Sequence, residues 1–296
     1  MRVLIAGCGY VGRQLGAALA AHGHHVVGLR RSPAAAEALR AAGIEPAFGD
    51  VADRPSLDAL PLPFDWVVNC VASGGGGPED YRRTYLKGTR HLLDWLGASP
   101  PAKFIYTSST GVYGQTDGAD VDETSPTEPV SATAQTLVTT ERVLLKTARE
   151  RDFPAIVLRL AGIYGPGRGY WLRQFIAGEA RIEGEGRRIL NLVHRDDVVS
   201  AILTVFERGQ AGEVYNVVDD APVTQRGFFT WLATRLNRPL PPVVPEDRAA
   251  KPKRGLTNKR VSNRKLKVEV GYQFRYPTFR EGFEPELEAL GFARQA

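Results

Sequence analysis

The sequence predicts an α/β fold in which a doubly wound parallel sheet is joined to a smaller C-terminal α/β lobe. Apolar runs alternate with Ala- and Leu-rich segments through the first two hundred residues. Continuous apolar runs are typical of parallel strands that helices cover on both faces. After Gly167 the alternation becomes irregular, and from about Asp220 the chain is rich in proline, which indicates a second, smaller unit.

Each predicted strand is a continuous apolar run, and each predicted helix is a longer segment with helix-forming residues. The predicted strands span residues 2–7, 24–30, 45–50, 65–72, 103–109, 155–165 and 213–219, with short strands within 181–194. The predicted helices span residues 13–23, 33–43, 79–98, 131–151, 171–179, 196–209 and 225–237. We therefore expect a first domain over 1–170, completed by about 191–220, and a lobe built from 171–190 and 221–296.

A glycine pattern follows the first predicted strand. In "GCGYVG" the glycines Gly7, Gly9 and Gly12 form G-x-G-x-x-G, with Tyr10 and Val11 between them. The pattern closes a strand and opens a helix, which is the context of a Rossmann-type dinucleotide site. The first glycine allows a tight turn, the second lets the backbone approach a diphosphate, and the third packs helix against strand.

The end of the second predicted strand indicates which dinucleotide binds. An NAD site usually carries Asp or Glu there, to bind the ribose 2′-hydroxyl. This chain instead carries Arg30, Arg31 and Ser32. A guanidinium binds a phosphate bidentately, whereas a carboxylate would repel it. The pattern favours NADP(H), although two surface arginines that merely follow a strand remain the alternative.

The other predicted cofactor contacts follow later strands. Asp50 and Val51 are expected at the adenine. The remaining predicted cofactor residues are Val71, Ala72, Ser73, Thr107 and Gly162.

Composition argues against several other classes of protein. The chain has 296 residues, and no apolar run approaches the ~18–20 residues of a membrane span. Its two cysteines, Cys8 and Cys70, lie among apolar strand residues rather than in spaced pairs. We therefore expect reduced core thiols, no metal site and a cytoplasmic location.

Residues 251–267 carry eight basic and no acidic residues, more than the whole net charge of +5. Such a segment could contact phosphates. It has no interleaved aromatic residues for base stacking, so a solvated, partly looped surface is favoured and no nucleic-acid partner is expected.

Several motifs together resemble the extended short-chain dehydrogenase/reductase superfamily, whose members are usually labelled NAD-dependent epimerase/dehydratase. The motifs are "GCGYVG", "GDVAD", "YTSSTGVYG", "LRLAGIYGPGR", "NLVHRDDVVSAIL" and "EVYNVVDDAPVT". The resemblance implies a Rossmann domain, a small substrate domain and a small-molecule substrate between them. It also suggests a homodimer formed through the helices over 79–98 and 131–151.

The resemblance implies a catalytic Ser, at Ser109, and a Tyr-x-x-x-Lys pair on the helix that follows. At the Tyr and Lys positions this chain carries Thr133 and Leu137, eight and four residues before the matching Glu141. A threonine hydroxyl is too weak an acid for the role of the tyrosine, and a leucine has no charge to lower its pKa. The sequence therefore resembles the atypical members that lack this pair.

Other groups would then have to donate the proton and bind the substrate. Tyr113, together with Ser109, is the predicted catalytic residue. Tyr85, which replaces a family Asn, and Tyr164 and His194 are the predicted substrate residues. Leu190 stands where nucleotide-sugar enzymes carry an Arg. Two functions remain open: an NADP(H)-dependent oxidoreductase of a small carbonyl or alcohol with an atypical proton donor, and a non-catalytic NADP(H) sensor or regulator.

Overall fold

The computed structural model describes residues 1–245 and 257–292. The strands in these ranges are β1 (Arg2–Ala6), β2 (His25–Arg30), β3 (Glu45–Phe48), β4 (Trp66–Asn69), β5 (Lys103–Ser109), β6 (Ala119–Val121), β7 (Ala155–Leu160), β8 (Gly162–Tyr164), β9 (Ile182–Glu183), β10 (Ile189–Leu190), β11 (Leu192–His194), β12 (Val214–Val217), β13 (Val223–Thr224), β14 (Val243–Val244) and β15 (Lys259–Val261).

The helices surround this framework. They are α1 (Tyr10–Ala21), α2 (Ala36–Arg40), α3 (Arg54–Asp58), α4 (Pro78–Tyr81), α5 (Gly88–Leu96), α6 (Ala132–Arg151), α7 (Tyr170–Ile176), α8 (Arg195–Arg208), α9 (Gln225–Leu236), α10 (Arg264–Glu269) and α11 (Phe279–Ala289). A π-helical stretch, Arg82–Lys87, joins α4 to α5, and short 3₁₀ turns lie at Pro33–Ala35 and Thr110–Val112.

Seven parallel strands form the central sheet in the order β12-β7-β5-β4-β1-β2-β3. The strand order reverses between β1 and β4. In open α/β sheets a ligand binds at such a reversal, outside the carboxyl ends of the strands. The predicted α/β class with a doubly wound parallel sheet is confirmed.

Strand β7 and helix α6 show why the inner elements form. All six side chains of β7 are buried, as a strand covered on both faces requires. Helix α6 begins after Ser131, whose Oγ accepts a hydrogen bond from the N–H of Ala134 at 3.3 Å, and it ends at Asp152 in the left-handed conformation (φ 52°).

A buried ion pair joins these two elements. Nη2 of Arg159 on β7 donates to Oε2 of Glu141 on α6 at 2.8 Å, and both side chains are at most 6% exposed. The hydroxyl of Ser108 also donates to Glu141. Buried charges that are paired and hydrogen-bonded fix the position of α6 against the sheet.

A second hydrophobic cluster forms the smaller lobe. It draws on residues 164–192, 223–236 and 279–292, and its centre is aromatic, with Phe228, Phe229, Phe279 and Phe283 all buried. Residues 261–272 behave differently, because Val261, Leu266, Val270 and Tyr272 belong to the cluster of the main sheet. The domain boundaries expected above stay a prediction.

The structure differs from the predicted elements in two ways. The strand expected over 155–165 is divided at Ala161, because β7 pairs with β5 and β12 whereas β8 pairs with β11. Helices α3, α10 and α11 were not predicted. Helix α11 carried a signal, since Thr278 and Glu281 form a capping box.

Part of the basic segment is not a solvated surface. Residues 251–256 lie outside the described residues, but β15 pairs with β6 and buries Lys259 to 4% exposure. Nζ of Lys259 donates to the carbonyl oxygen of Tyr113 at 3.0 Å and to Oγ1 of Thr257 at 2.8 Å. Burial lowers the pKa of Lys259 to about 8.

Replacing Glu141 by Gln should lower the free energy of unfolding by about 3–5 kcal/mol, because the guanidinium of Arg159 stays buried without a counter-charge. The matched control is Glu150→Gln on the same helix, which breaks the exposed pair with Lys146. That change should cost less than about 1 kcal/mol. Urea unfolding of both variants measures the difference, and equal, small losses would contradict a structural role of the buried pair.

Candidate functional site

The glycine loop adopts the close backbone geometry expected of a dinucleotide cradle. Gly7 has φ +83°, and a Cβ there would lie 2.6 Å from the backbone N and Cα of Val71. A Cβ at Gly12 would lie 2.9 Å from the carbonyl oxygen of Gly7. Only glycine fits these positions, and α1 begins one residue after Gly9. The first turn of α1 carries no acidic residue and no side-chain cap, so no side chain there competes with an anion for its free N–H groups.

A cavity of about 540 Å³ opens above this loop, along the carboxyl ends of the central strands. Most of the predicted cofactor residues line it. They are Gly7, Gly9, Tyr10, Val11, Arg30, Arg31, Ser32, Asp50, Val51, Val71, Ala72, Thr107 and Gly162. Gly12 lies outside the cavity wall because it packs α1 on β1, and Ser73 lies outside it as well.

The cavity wall at the end of β2 is cationic. Nη1 of Arg30 donates to the carbonyl oxygen of Cys8 at 3.1 Å, which holds its side chain beside the glycine loop. Arg31 and Ser32 are exposed at the rim. The wall's one carboxylate among the described residues is Asp50, and its Oδ2 is paired with Arg83 at 3.2 Å.

Both cysteines are free thiols. Burial raises the pKa of Cys8 and of Cys70 to about 12, so both stay protonated at neutral pH. In the described parts of the chain no group of three His, Cys, Asp or Glu side chains is arranged to hold a metal. None of the helices described in those parts is both long and apolar enough to span a membrane.

Ser109 and Leu137 lie on the wall of the same cavity, so β5 and α6 bring the predicted catalytic serine and the family lysine position together. Oγ of Ser109 accepts a hydrogen bond from the N–H of Gly111 at 3.1 Å. Thr133 is 5% exposed and does not line the cavity, and its Oγ1 lies 3.2 Å from Oγ of Ser131. Leu137 makes the cavity wall apolar at the position where the family resemblance implies a lysine.

The structure does not bring Tyr113 to the cavity. Its side chain is fully buried, and its hydroxyl donates to Oδ1 of Asn216 at 2.8 Å and accepts from Nη1 of Arg159 at 2.9 Å. Burial raises the pKa of Tyr113 to about 12. These contacts give Tyr113 a part in the buried polar network beneath α6, and they leave its hydroxyl no path to a ligand.

Tyr85 does line the cavity. It belongs to the π-helical stretch between α4 and α5, a type of helix distortion that is frequent at functional sites. Its hydroxyl oxygen accepts a hydrogen bond from the N–H of Ser73 at 3.3 Å. This contact leaves the hydroxyl proton available to a ligand.

Tyr164 and His194 lie at the junction of the sheet and the lobe rather than on the cavity wall. Tyr164 stacks on Phe283 with ring centroids 4.1 Å apart and meets His194 edge-on at 5.3 Å. Nδ1 of His194 accepts from the N–H of Asp196 at 3.1 Å and caps α8. Burial lowers the pKa of His194 to about 4, so the ring is neutral at pH 7.

Further cavity residues were not predicted from the sequence. They are Leu29, Gly49, Cys70, Thr84, Ser108, Leu160, Ala161, Ile163 and Arg168. Most continue strands whose ends were already assigned to the site. Two are exceptions: Thr84 belongs to the π-helical stretch beside Tyr85, and Arg168 comes from the "GPGR" turn. The charge of Arg168 was the signal in the sequence that could have indicated it.

Comparison with known proteins agrees with this geometry. The sequence profile described as "NAD dependent epimerase/dehydratase family" matches residues 3–218. Protein YeeZ of Escherichia coli (strain K12) is 32% identical over 286 residues, which cover 93% of this chain and 96% of that protein. A 4-hydroxy-2-methyl-3-oxo-4-farnesyl-3,4-dihydroquinoline-1-oxide ketoreductase of Stigmatella aurantiaca is 30% identical over 78% of this chain and 72% of its own length.

A solved structure is also similar over the whole length. A conserved protein of unknown function from Silicibacter pomeroyi is 33% identical, with a TM-score of 0.80 and coverage of 99% of both chains. The resemblance stated from the motifs is thereby confirmed. The matched family is named for its dependence on NAD, so the dinucleotide that the cradle fits is a nicotinamide dinucleotide.

Replacing Asp219 by Asn should change how stability depends on pH. Asp219 is 1% exposed, its Oδ2 has no hydrogen-bond partner among the described residues, and burial raises its pKa from 3.8 to about 7. Between these values the unfolded chain releases the proton and the folded chain keeps it. The unfolding free energy of the wild type should therefore fall, relative to Asp219→Asn, by up to about 1.4 kcal/mol per pH unit as the pH rises.

Urea unfolding between pH 4 and pH 8 measures this difference, and the contribution of His194 cancels because both proteins contain it. The exposed Asp94 on α5 supplies the control, Asp94→Asn, whose difference from the wild type should stay flat over this window. A flat difference for Asp219→Asn as well would contradict the raised pKa.

Proposed function

Because the chain belongs to the NAD dependent epimerase/dehydratase family, we propose that it is an NADP(H)-binding oxidoreductase of a small carbonyl or alcohol, with an atypical proton donor. One observation carries the proposal. A single cavity is lined by the glycine cradle, by Arg30 and Arg31, and by Ser109. The cofactor end and the reactive end of a hydride-transfer site are therefore continuous.

The preference for NADP(H) rests on charge at the end of β2. Arg30, Arg31 and Ser32 line the cavity where an NAD site usually carries a carboxylate. Asp50 cannot serve that role, because its carboxylate follows β3 and is paired with Arg83. A 2′-phosphate would meet two guanidinium groups there and no opposing carboxylate.

The reactive end offers hydroxyl groups instead of the Tyr–Lys pair. A bound nicotinamide supplies or takes up the hydride. Ser109 is positioned on the cavity wall to donate a hydrogen bond to a substrate carbonyl oxygen. Tyr85 is our candidate proton donor, since its oxygen accepts from the N–H of Ser73 and its proton can point to a ligand.

The substrate class is supported by Leu190 and by one relative. Leu190, at the position where nucleotide-sugar enzymes carry an Arg, is buried in the apolar lobe cluster. The Stigmatella aurantiaca relative is named as a ketoreductase, which agrees with a carbonyl substrate.

A non-catalytic NADP(H) sensor is the second candidate, and Leu137 favours it. This side chain is 1% exposed and places an apolar surface on the wall where the family carries the catalytic lysine. A sensor needs the cofactor end of the cavity and can dispense with the reactive end. The two candidates therefore share the cofactor prediction and differ in turnover.

The cofactor preference can be tested by thermal unfolding with NADPH, NADH or no ligand. A ligand at 100 times its dissociation constant adds about 2.7 kcal/mol to the unfolding free energy. At equal concentration NADPH should raise the melting temperature more than NADH, and the double variant Arg30→Gln/Arg31→Gln should abolish the difference. Arg13→Gln, on the exposed side of α1, should retain it. Equal shifts for both dinucleotides in the wild type would disprove the preference.

Turnover can be tested by following NADPH absorbance with a panel of small aldehydes and ketones. Ser109→Ala should lower kcat on any accepted substrate by about 10²–10³-fold, the usual cost of removing one donor to a developing oxyanion. Tyr85→Phe should lower kcat by about 10²-fold or more, as the loss of a general acid does. Tyr113→Phe is the control and should retain the catalytic rate. Tight NADPH binding without turnover on the whole panel would favour the sensor.

A further inference from the structure

Arg168 is a charged residue on the cavity wall that the proposed chemistry does not use. Its side chain is exposed, and within residues 1–245 and 257–292 it forms no ion pair. It lies within reach of Tyr10, since its Cζ is 5.2 Å from the centroid of that ring. Tyr10 is the first residue of α1 and lines the cavity.

A second arginine approaches the same ring but differs in its partners. Cζ of Arg195 is also 5.2 Å from the ring centroid of Tyr10. Its Nε and Nη2 donate to Oδ1 of Asp196 at 3.0 and 2.9 Å, so its charge is compensated. Arg195 does not line the cavity, whereas Arg168 does. Of the two guanidinium groups beside Tyr10, Arg168 is the one that is open to a ligand.

The backbone that carries Arg168 is fixed in place. Gly165 and Arg168 exchange two N–H···O hydrogen bonds of 2.8 Å, which close a tight turn with Gly165 at φ +136° and Gly167 at φ +70°. The hydroxyl of Tyr10 donates to the carbonyl oxygen of Pro166 at 3.2 Å. The N–H of Gly167 donates to Oε1 of Glu286 on α11 at 3.2 Å. The guanidinium therefore projects from a preorganised support.

We propose that Arg168 binds the diphosphate of the dinucleotide, together with the N–H groups at the start of α1. The inference rests on the proposed cofactor site and adds a residue to it. In a Rossmann-type site the diphosphate lies at the glycine loop and the N-terminus of the first helix, which is where Tyr10 places Arg168. A guanidinium matches phosphate oxygens bidentately.

Position separates this role from recognition of the 2′-phosphate. Arg30 and Arg31 follow β2, where a 2′-phosphate would bind, whereas Arg168 lies beside Tyr10 at the start of α1 and lines the same cavity. Arg168 should therefore contribute to NADPH and NADH binding alike, because both contain the diphosphate.

The test is isothermal titration of the full chain with NADPH, NADH and adenosine 2′-monophosphate, a probe that has no 5′-phosphate and therefore no part of the diphosphate. Arg168→Gln should raise the Kd for both dinucleotides by the same factor, about tenfold or more, and should change the Kd for the probe less than about twofold. Arg168→Lys should recover part of the lost affinity, because an ammonium group keeps the positive charge but cannot bind phosphate bidentately. Arg195→Gln is the matched control and should leave all three dissociation constants within about twofold.

Each of four results would overturn the inference. The inference fails if Arg168→Gln binds both dinucleotides with the affinity of the wild type. It also fails if only the KM for the substrate changes, which would make Arg168 a substrate residue. Weaker binding of NADPH and of the probe, with unchanged binding of NADH, would assign Arg168 to the 2′-phosphate. Wild-type protein that binds neither dinucleotide would overturn the proposed function and this inference together, whereas wild-type binding with an unaffected variant overturns the inference alone.

Discussion

The buried pair of Glu141 and Arg159 determines how the reactive half of the molecule is arranged. It joins α6 to β7, draws the hydroxyl of Ser108 onto the same carboxylate, and supplies the guanidinium that holds Tyr113. Two charges in an apolar interior must stay paired. A rotation or shift of α6 would therefore leave Arg159 buried without its counter-charge. The same helix register therefore places Leu137 on the cavity wall.

This constraint explains which site residues could be predicted from the sequence. Gly7, Gly9 and Arg30 belong to a local pattern of strand, turn and helix, whose geometry follows from residues close together in the chain. The strand ends at Val71 and Ser109 follow from the same rule, since parallel strands present their carboxyl ends at one edge of the sheet. The α/β class and the cofactor end of the cavity were accordingly predictable.

The direction of single side chains was not predictable in the same way. Tyr113 turns inward because its hydroxyl meets Arg159, 46 residues later, and Asn216, 103 residues later. Likewise Lys259 is buried because β15 pairs with β6, which no local pattern in a basic segment indicates. Such partners are fixed by tertiary packing, and a motif that aligns a residue to a loop does not say which way its side chain points.

The turn that carries Arg168 shows how the two lobes are connected. Tyr10 on α1 and Glu286 on α11, which are far apart in the sequence, both form hydrogen bonds to the same four-residue turn. The glycine loop and the apolar lobe therefore share one structural support beside the cavity. The chemistry of the site can thus lose the Tyr–Lys pair while the contacts between cofactor cradle and lobe are retained, because these contacts depend on the turn and not on α6.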